Sequence, residues 1–260
     1  MPKFAANLTM LFNDVPFLDR FEAASRAGFS GVEYLFPYDF DAADLAARLR
    51  TYGLTQVLHN LPAGDWSAGE RGMACHPDRM GEFADGVSRA IDYARALGCP
   101  QVNCLAGIVP GGVTQADAHA TLVSNLKLAA ARLGEAGIRL VVEPINTRDI
   151  PGFFLTHTRQ ALGIIDEVGG NVGLQYDVYH MQIMEGDLAR TIERHLPRIA
   201  HIQIADPPAR QEPGTGEINY RFLLNWIDRL GYSGWIGLEY KPAGRTEDGL
   251  HWIEDGGWQR

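Results

Sequence analysis

Eight short apolar runs alternate with longer segments of helical period along this chain, and that alternation admits few architectures. The runs are Lys3–Leu8, Gly31–Leu35, Leu54–His59, Gln101–Leu105, Ile138–Glu143, Val172–Asp177, Ile199–Ala205 and Trp235–Tyr240. The spacing predicts helices over Phe17–Ala27, Ala42–Thr51, Asp78–Leu97, Gln115–Ala136, Thr158–Val168, Gly186–His195 and Arg221–Leu230. A short terminal helix is expected near Glu247–Ile253, and Gly28, Gly53 and Gly98 stand where helices should stop. Strict strand–helix alternation of this kind is an α/β pattern, a single (β/α)8 TIM barrel. A doubly wound open sheet would carry a glycine fingerprint after its first strand, and none is present. No linker, charge block or low-complexity segment divides the 260 residues, so one domain over 1–260 is expected.

Hydrophobic residues make up 46% of the chain and charged ones 21%, enough for a sizeable core. The net charge of −9, from 32 acidic and 23 basic residues, argues against nucleic acid, whose binding relies on Lys and Arg neutralising phosphates. It also leaves no polybasic handle for an anionic membrane, and no apolar run reaches the roughly 18 residues of a spanning helix. Cys75, Cys99 and Cys104 are odd in number and lack metal-ligand spacing, so they read as reduced, buried thiols. The N-terminal residues lack the apolar stretch of a signal peptide. The expectation is a cytoplasmic protein whose partner is a small molecule. Barrels of this size often associate through their outer helices, so a homo-oligomer is compatible with the sequence.

Chemistry in such a barrel sits at the C-terminal ends of the strands. The last four predicted strands end in Glu143, Asp177, Gln203 and Glu239, each after apolar residues. A carboxylate there loses hydration and needs a cation or hydrogen bonds in return. A single acid at a strand end could cap a helix or pair with Arg. Four such groups on consecutive strands converge on one point, and their all-oxygen set suits Mg²⁺ or Mn²⁺. A divalent ion would also relieve the repulsion of three crowded negative charges. Glu143 and Glu239 would approach a ligand from different sides, as a base and an acid must. A metal chelating a hydroxyl and an adjacent carbonyl would stabilise an enediolate, the requirement of aldose–ketose chemistry.

Other polar residues complete the candidate site. His180 shares a loop with Asp177, and Arg210 follows the seventh strand, where it could bind a carboxylate. His59 ends the third strand and is either a substrate contact or a core histidine. Glu70 and Arg71 lie in a long loop after that strand; Arg71 could clamp an acid substrate or pair with Glu70. His157, His195 and His201 read as structural. Trp66, Phe153 and Phe154 could shield the site from water or simply pack.

Several blocks resemble the hydroxypyruvate isomerase family of xylose isomerase-like barrels. They are Asn60–Trp66 with Gly69–Gly72, Glu143–Asn146, Ile150–Phe153, Gln175–Gln182, His201–Asp206, Glu212–Ile218 and Gly237–Pro242. The resemblance runs from Phe4 to about Trp252. It implies interconversion of hydroxypyruvate and 2-hydroxy-3-oxopropanoate, with Glu143 and Glu239 handling the proton. It also implies metal ligation by Glu143, Asp177, Gln203 and Glu239. Related sugar epimerases place His where this chain has Gln203, and close relatives act on 2-oxo-tetronate, one carbon longer. One methylene changes discrimination by only about 1–3 kcal/mol, so these motifs leave both acids open.

Three rivals are weaker. A nuclease on this barrel would need more histidines and a basic groove. A sugar-acid epimerase could use the same two glutamates, but Gln203 and the Gly-Asp-Trp loop lean away from it. A non-catalytic binding protein has no reason to keep four ligands with a flanking His and Arg.

Overall fold

The first strand, β1 (Lys3–Asn7), pairs in parallel with the last, β8 (Trp235–Leu238), in a register that sets Lys3 opposite Trp235 and Ala6 opposite Leu238. That pairing closes the barrel. Between them run β2 (Gly31–Glu33), β3 (Thr55–Asn60), β4 (Gln101–Cys104), β5 (Arg139–Val142), β6 (Val172–Asp177) and β7 (Ile199–Ile204), each hydrogen-bonded to its sequence neighbour. The structure, a computed structural model, describes residues 1–260. Eight parallel strands thus form the closed barrel that the alternation predicts.

Nine helices surround it: α1 (Arg20–Arg26), α2 (Ala42–Tyr52), α3 (Met80–Leu97), α4 (Gln115–Glu135), α5 (Thr158–Val168), α6 (Val178–Met184), α7 (Leu188–His195), α8 (Tyr220–Arg229) and α9 (His251–Asp255). Local chemistry sets their ends. Asp41 accepts from the amides of Ala43 and Asp44 to open α2, and Thr114 accepts from Asp117 N to open α4. Gly53 and Gly98 take left-handed conformations as the stops of α2 and α3.

Several elements differ from the sequence expectation. The first and third predicted helices each open on a 3-10 turn, Phe17–Asp19 before α1 and Pro77–Arg79 before α3. α6 was not expected: it follows β6 with no loop, because Asp177 ends the strand and caps the helix at once. β5 and β8 stop at Val142 and Leu238, which leaves Glu143 and Glu239 one residue beyond their strands.

Most of the core lies between barrel and helices, in a single cluster of 69 buried residues. A separate small cluster, Ala5, Val57, Leu58 and Val141 with Trp235 against it, plugs the barrel interior. A Cβ on Gly31 would stand 2.5 Å from the Trp235 ring, so the missing side chain is what lets the indole lie there. The interior then turns polar: Asn7, Glu33, Gln175, His201 and Gln203 are all buried. Glu33 accepts from Asn7 Nδ2 at 3.0 Å and Gln203 Nε2 at 2.8 Å, and pairs with His201 Nε2 at 2.7 Å. This layer satisfies the buried carboxylate and supports the strand ends above it. No helix is long and apolar enough to cross a membrane.

Candidate active site

Glu143, Asp177 and Glu239 leave β5, β6 and β8 at the same level and are buried together with His180 from the first turn of α6. Each of the four offers a ligand atom within 4.8 Å of all the others. Capping divides the work of Asp177. Its Oδ1 accepts from Tyr179 N at 2.8 Å, while the buried Oδ2 has no hydrogen-bond partner. Glu143 is held by Asn103, whose Nδ2 donates to Oε2 at 2.9 Å. His180 Nε2 faces Asp177 Oδ2 at 3.5 Å and Glu143 Oε1 at 3.8 Å.

Arg210 brings the one cation of this cluster. Its guanidinium donates to Glu239 Oε2, lies 3.7 Å from Asp177 Oδ2 and stacks 4.9 Å from the Tyr179 ring centre. The loop that carries it is tightly built. Asp206 accepts from the amides of Gly214 and Gly216 at 2.9 Å and of Ile218 at 3.0 Å. A Cβ on Gly216 would fall 1.9 Å from the Pro207 carbonyl oxygen, so the Gly-Thr-Gly motif there serves the loop's shape. Arg210 itself has φ 56°, a left-handed conformation held in part by Lys241 N donating to its carbonyl at 2.7 Å.

The electrostatics follow from this crowding. Burial, then repulsion from Glu239 and Asp177, raises the Glu143 carboxyl well above its ordinary range, against Arg210 and Asn103. Burial, with Asp177 and Glu33, pushes Glu239 up to about 8 despite Arg210. Burial also raises Asp177, opposed by Arg210 and by the amides of its own cap. His180 is driven well below its usual value by burial and by Arg210. For Arg210, burial pulls down, but Glu239, Asp177 and Glu143 together outweigh it and raise the guanidinium. Three buried carboxyls share one guanidinium, and Asp177 Oδ2 lacks any partner. That donor set fits a divalent cation with a preference for oxygen ligands.

Gln203 sits in β7 opposite Asp177 but belongs to the layer beneath. Its nitrogen donates to Glu33, and its Oε1 accepts from Gln175 Nε2 at 2.5 Å. The remaining lone pair of that oxygen is the only ligand it has to offer. The side chain of Gln203 starts one residue before its strand ends, whereas Glu143 and Glu239 start one residue beyond theirs.

A cavity of about 80 Å³ opens on this cluster and is lined by Glu143, His180, Arg210 and Glu239. Its apolar wall comes from Met10, Leu35, Trp66, Leu105, Ile145 and Ile150. A larger cavity of about 420 Å³, between α8 and α9, contains none of the clustered acids.

The structure does not bring the remaining sequence candidates to the cavity. His59 is fully buried with its ring edge against Tyr38, centroids 6.1 Å apart; both ring nitrogens are unpartnered, and burial lowers its pKa to about 4. Glu70 accepts from Asp65 N at 2.6 Å and pairs with Arg79 at 2.6 Å, which folds the loop onto itself. Arg71 donates to the carbonyls of Trp66 and Glu70 and lies 4.1 Å over the Trp66 ring, so it reaches the cavity only through that indole. Trp66 lines the cavity, whereas Phe153 and Phe154 are buried in the core. Sequence reasoning passed over Asn103 and Asn146, which touch Glu143 and His180. Asn146 closes the Glu-Pro-Ile-Asn block, the one available signal.

A family model described as xylose isomerase-like TIM barrel matches residues 21–256. The chain is 55% identical to hydroxypyruvate isomerase of Escherichia coli (strain K12), over 98% of this chain and 99% of that one. It is 48% identical to 2-oxo-tetronate isomerase of Cupriavidus necator, over 98% of each. Among solved structures, an AP endonuclease, family 2, from Brucella melitensis superposes with a TM-score of 0.96 at 49% identity, covering 98% of this chain and 99% of that one.

Proposed function

The chain belongs to the hydroxypyruvate isomerase family of xylose isomerase-like TIM barrels, and from that premise we propose that it interconverts hydroxypyruvate and 2-hydroxy-3-oxopropanoate. The observation that carries the reading is that Glu143 and Glu239, from the ends of different strands, line one small cavity together with Arg210, which pairs with Glu239. Aldose–ketose isomerisation of this acid breaks the C–H bond of the hydroxymethyl carbon and forms one on the neighbouring carbon. A hydroxyl proton moves from one oxygen to the other, through a cis-enediol. Of Glu143 and Glu239, one takes the carbon-bound proton and the other delivers its replacement. Burial raises the pKa of both carboxyls, which makes the ionised member of the pair a stronger base toward a carbon-bound proton.

Arg210 has a free Nε and is placed to take the substrate carboxylate, with His180 on an oxygen of the reacting carbons. Trp66 and the apolar wall keep water from the enediol. Glu143, Asp177 and Glu239 would hold Mg²⁺ or Mn²⁺, with the Gln203 carboxamide as the fourth donor. When bound, the ion supplies electrophilic pull on the two reacting oxygens. The buried, unpaired cysteines suit a reducing cytoplasm. The surplus of acidic residues speaks against DNA as substrate, despite the nuclease name of the Brucella structure.

A four-carbon substrate is the second reading, favoured by the 48% identity to a 2-oxo-tetronate isomerase. The test is turnover of each acid by purified protein with Mg²⁺, Mn²⁺ or EDTA, coupled to tartronate semialdehyde reductase for the three-carbon acid and read by NMR for the four-carbon one. Hydroxypyruvate turnover that disappears in Glu143→Gln and Glu239→Gln supports the proposal. Much faster reaction of the four-carbon acid would transfer the assignment, and turnover of neither would end it.

A further inference from the structure

We infer that Asn146 is a positioning residue that fixes His180 with its single ring proton on Nε2, making the ring a donor to a substrate oxygen and withdrawing it from the metal. The inference rests on the isomerase reading only for the word substrate; the tautomer follows from hydrogen-bond directions alone. Asn146 is buried in the loop after β5. Its Oδ1 accepts from Arg148 N at 3.0 Å and from Asp149 N at 2.7 Å. Two backbone donors therefore commit the oxygen, and turning the amide over would set N–H against N–H.

The Asn146 nitrogen is then forced to the other side. Its Nδ2 lies 2.6 Å from His180 Nδ1 and 3.2 Å from Asp149 Oδ2. Asp149 accepts from Tyr179 Oη at 2.9 Å as well, which steadies the carboxylate that receives the second Nδ2 hydrogen. The backbone N–H of Asn146 also points at His180 Nδ1, at 3.4 Å. Both groups can only donate, so Nδ1 accepts. A neutral imidazole has one proton, and it must sit on Nε2.

Nε2 is the atom that faces Asp177 Oδ2 and Glu143 Oε1. A metal-ligating nitrogen needs a bare lone pair, and this one carries hydrogen. His180 thus stands inside the cluster without being a ligand. Its N–H is free to donate to the oxygen of an enediol, where added negative charge strengthens the bond.

The test is ¹⁵N NMR of histidine-labelled, full-length protein, with His180 assigned by the signal lost in His180→Gln. Wild type should show His180 protonated on Nε2, with Nδ1 at the shift of a bare ring nitrogen, both before and after Mg²⁺ is added. Asn146→Asp presents an acceptor to Nδ1 and should move the proton there, with kcat/KM reduced by about 10²-fold. A wild-type ring protonated on Nδ1 overturns the inference, as does loss of the Nε2 proton on adding Mg²⁺. The two ideas fail separately. A protein inactive on both acids but protonated on Nε2 keeps the tautomer and loses the isomerase; an active enzyme protonated on Nδ1 does the reverse.

Discussion

The Arg210 guanidinium donates to Glu239 while standing 3.7 Å from Asp177 Oδ2, so one cation answers two carboxylates from separate strands. Removing one partner of a buried ion pair costs about 3–5 kcal/mol, because the other charge stays behind. Arg210→Met should therefore lower the stability of metal-free protein on the order of 3 kcal/mol by urea unfolding above about pH 8, where Glu239 is ionised, and by less below it. Added Mg²⁺ should recover part of that loss, since the ion takes over the same charges. A loss identical with and without Mg²⁺ would mean that Arg210 and the metal do not share ligands.

Glu239 gives the pH dependence a definite sign. Its pKa is raised from 4.5 to about 8, first by burial and then by Asp177 and Glu33. An acid protonated in the folded protein but ionised in the unfolded chain contributes stability below its unfolded pKa. That contribution is lost as pH rises to the folded pKa. Metal-free wild type should thus weaken between about pH 4.5 and 8 relative to Glu239→Gln. Metal binding needs the carboxylate, so it should tighten over the same window and release protons. Calorimetric titration of Mg²⁺ in two buffers of different ionisation enthalpy measures that release; none at pH 7 would contradict the shift.

Gly237 tests the polar layer under the site. A Cβ there would lie 2.3 Å from Glu33 Oε1, in a carboxylate already bound to Asn7, His201 and Gln203. Neither β8 nor the network can give way cheaply. Gly237→Ala should cost about 1–3 kcal/mol by chemical unfolding, the usual range for overpacking a core. Gly244, with open space around its Cβ position, should accept Ala with little change.

The barrel was legible because strand–helix alternation is written in apolar periodicity, and closure follows from an eight-strand count. Glu143, Asp177 and Glu239 were legible for the same reason, since strand ends in a barrel meet above one point. Gln203 stands opposite Asp177 in register, and Glu33 and Gln175 bind its amide, so one lone pair of its oxygen is left to offer a cation. Strand-end position alone does not say which face a side chain takes: His59 packs against Tyr38 and does not line the cavity. Glu33 carries no local signal, because its importance comes from a partner 168 residues away, and Asn146 has only its place in the Glu-Pro-Ile-Asn block, its partner His180 lying 34 residues on.

Trp66 and Arg71 separate a roof from a substrate clamp. The indole lines the cavity with Glu143 and Glu239, and its outer face is covered by the Arg71 guanidinium at 4.1 Å. Phe36 packs against it at 5.2 Å, yet Trp66 remains 38% exposed. Trp66→Ala should therefore change stability by no more than about 1 kcal/mol while opening the cavity to water and raising KM. Arg71 acts on the cavity through that ring, in an exposed stacking contact typically contributing about 0.5–1 kcal/mol. Arg71→Met should then lower kcat/KM only several-fold, far less than Arg210→Met, whose guanidinium lines the cavity itself. Steady-state kinetics of the three variants on the three-carbon acid decide the matter. If Arg71→Met matched Arg210→Met, the loop would have to reach the substrate directly, and the arginine would be a clamp after all.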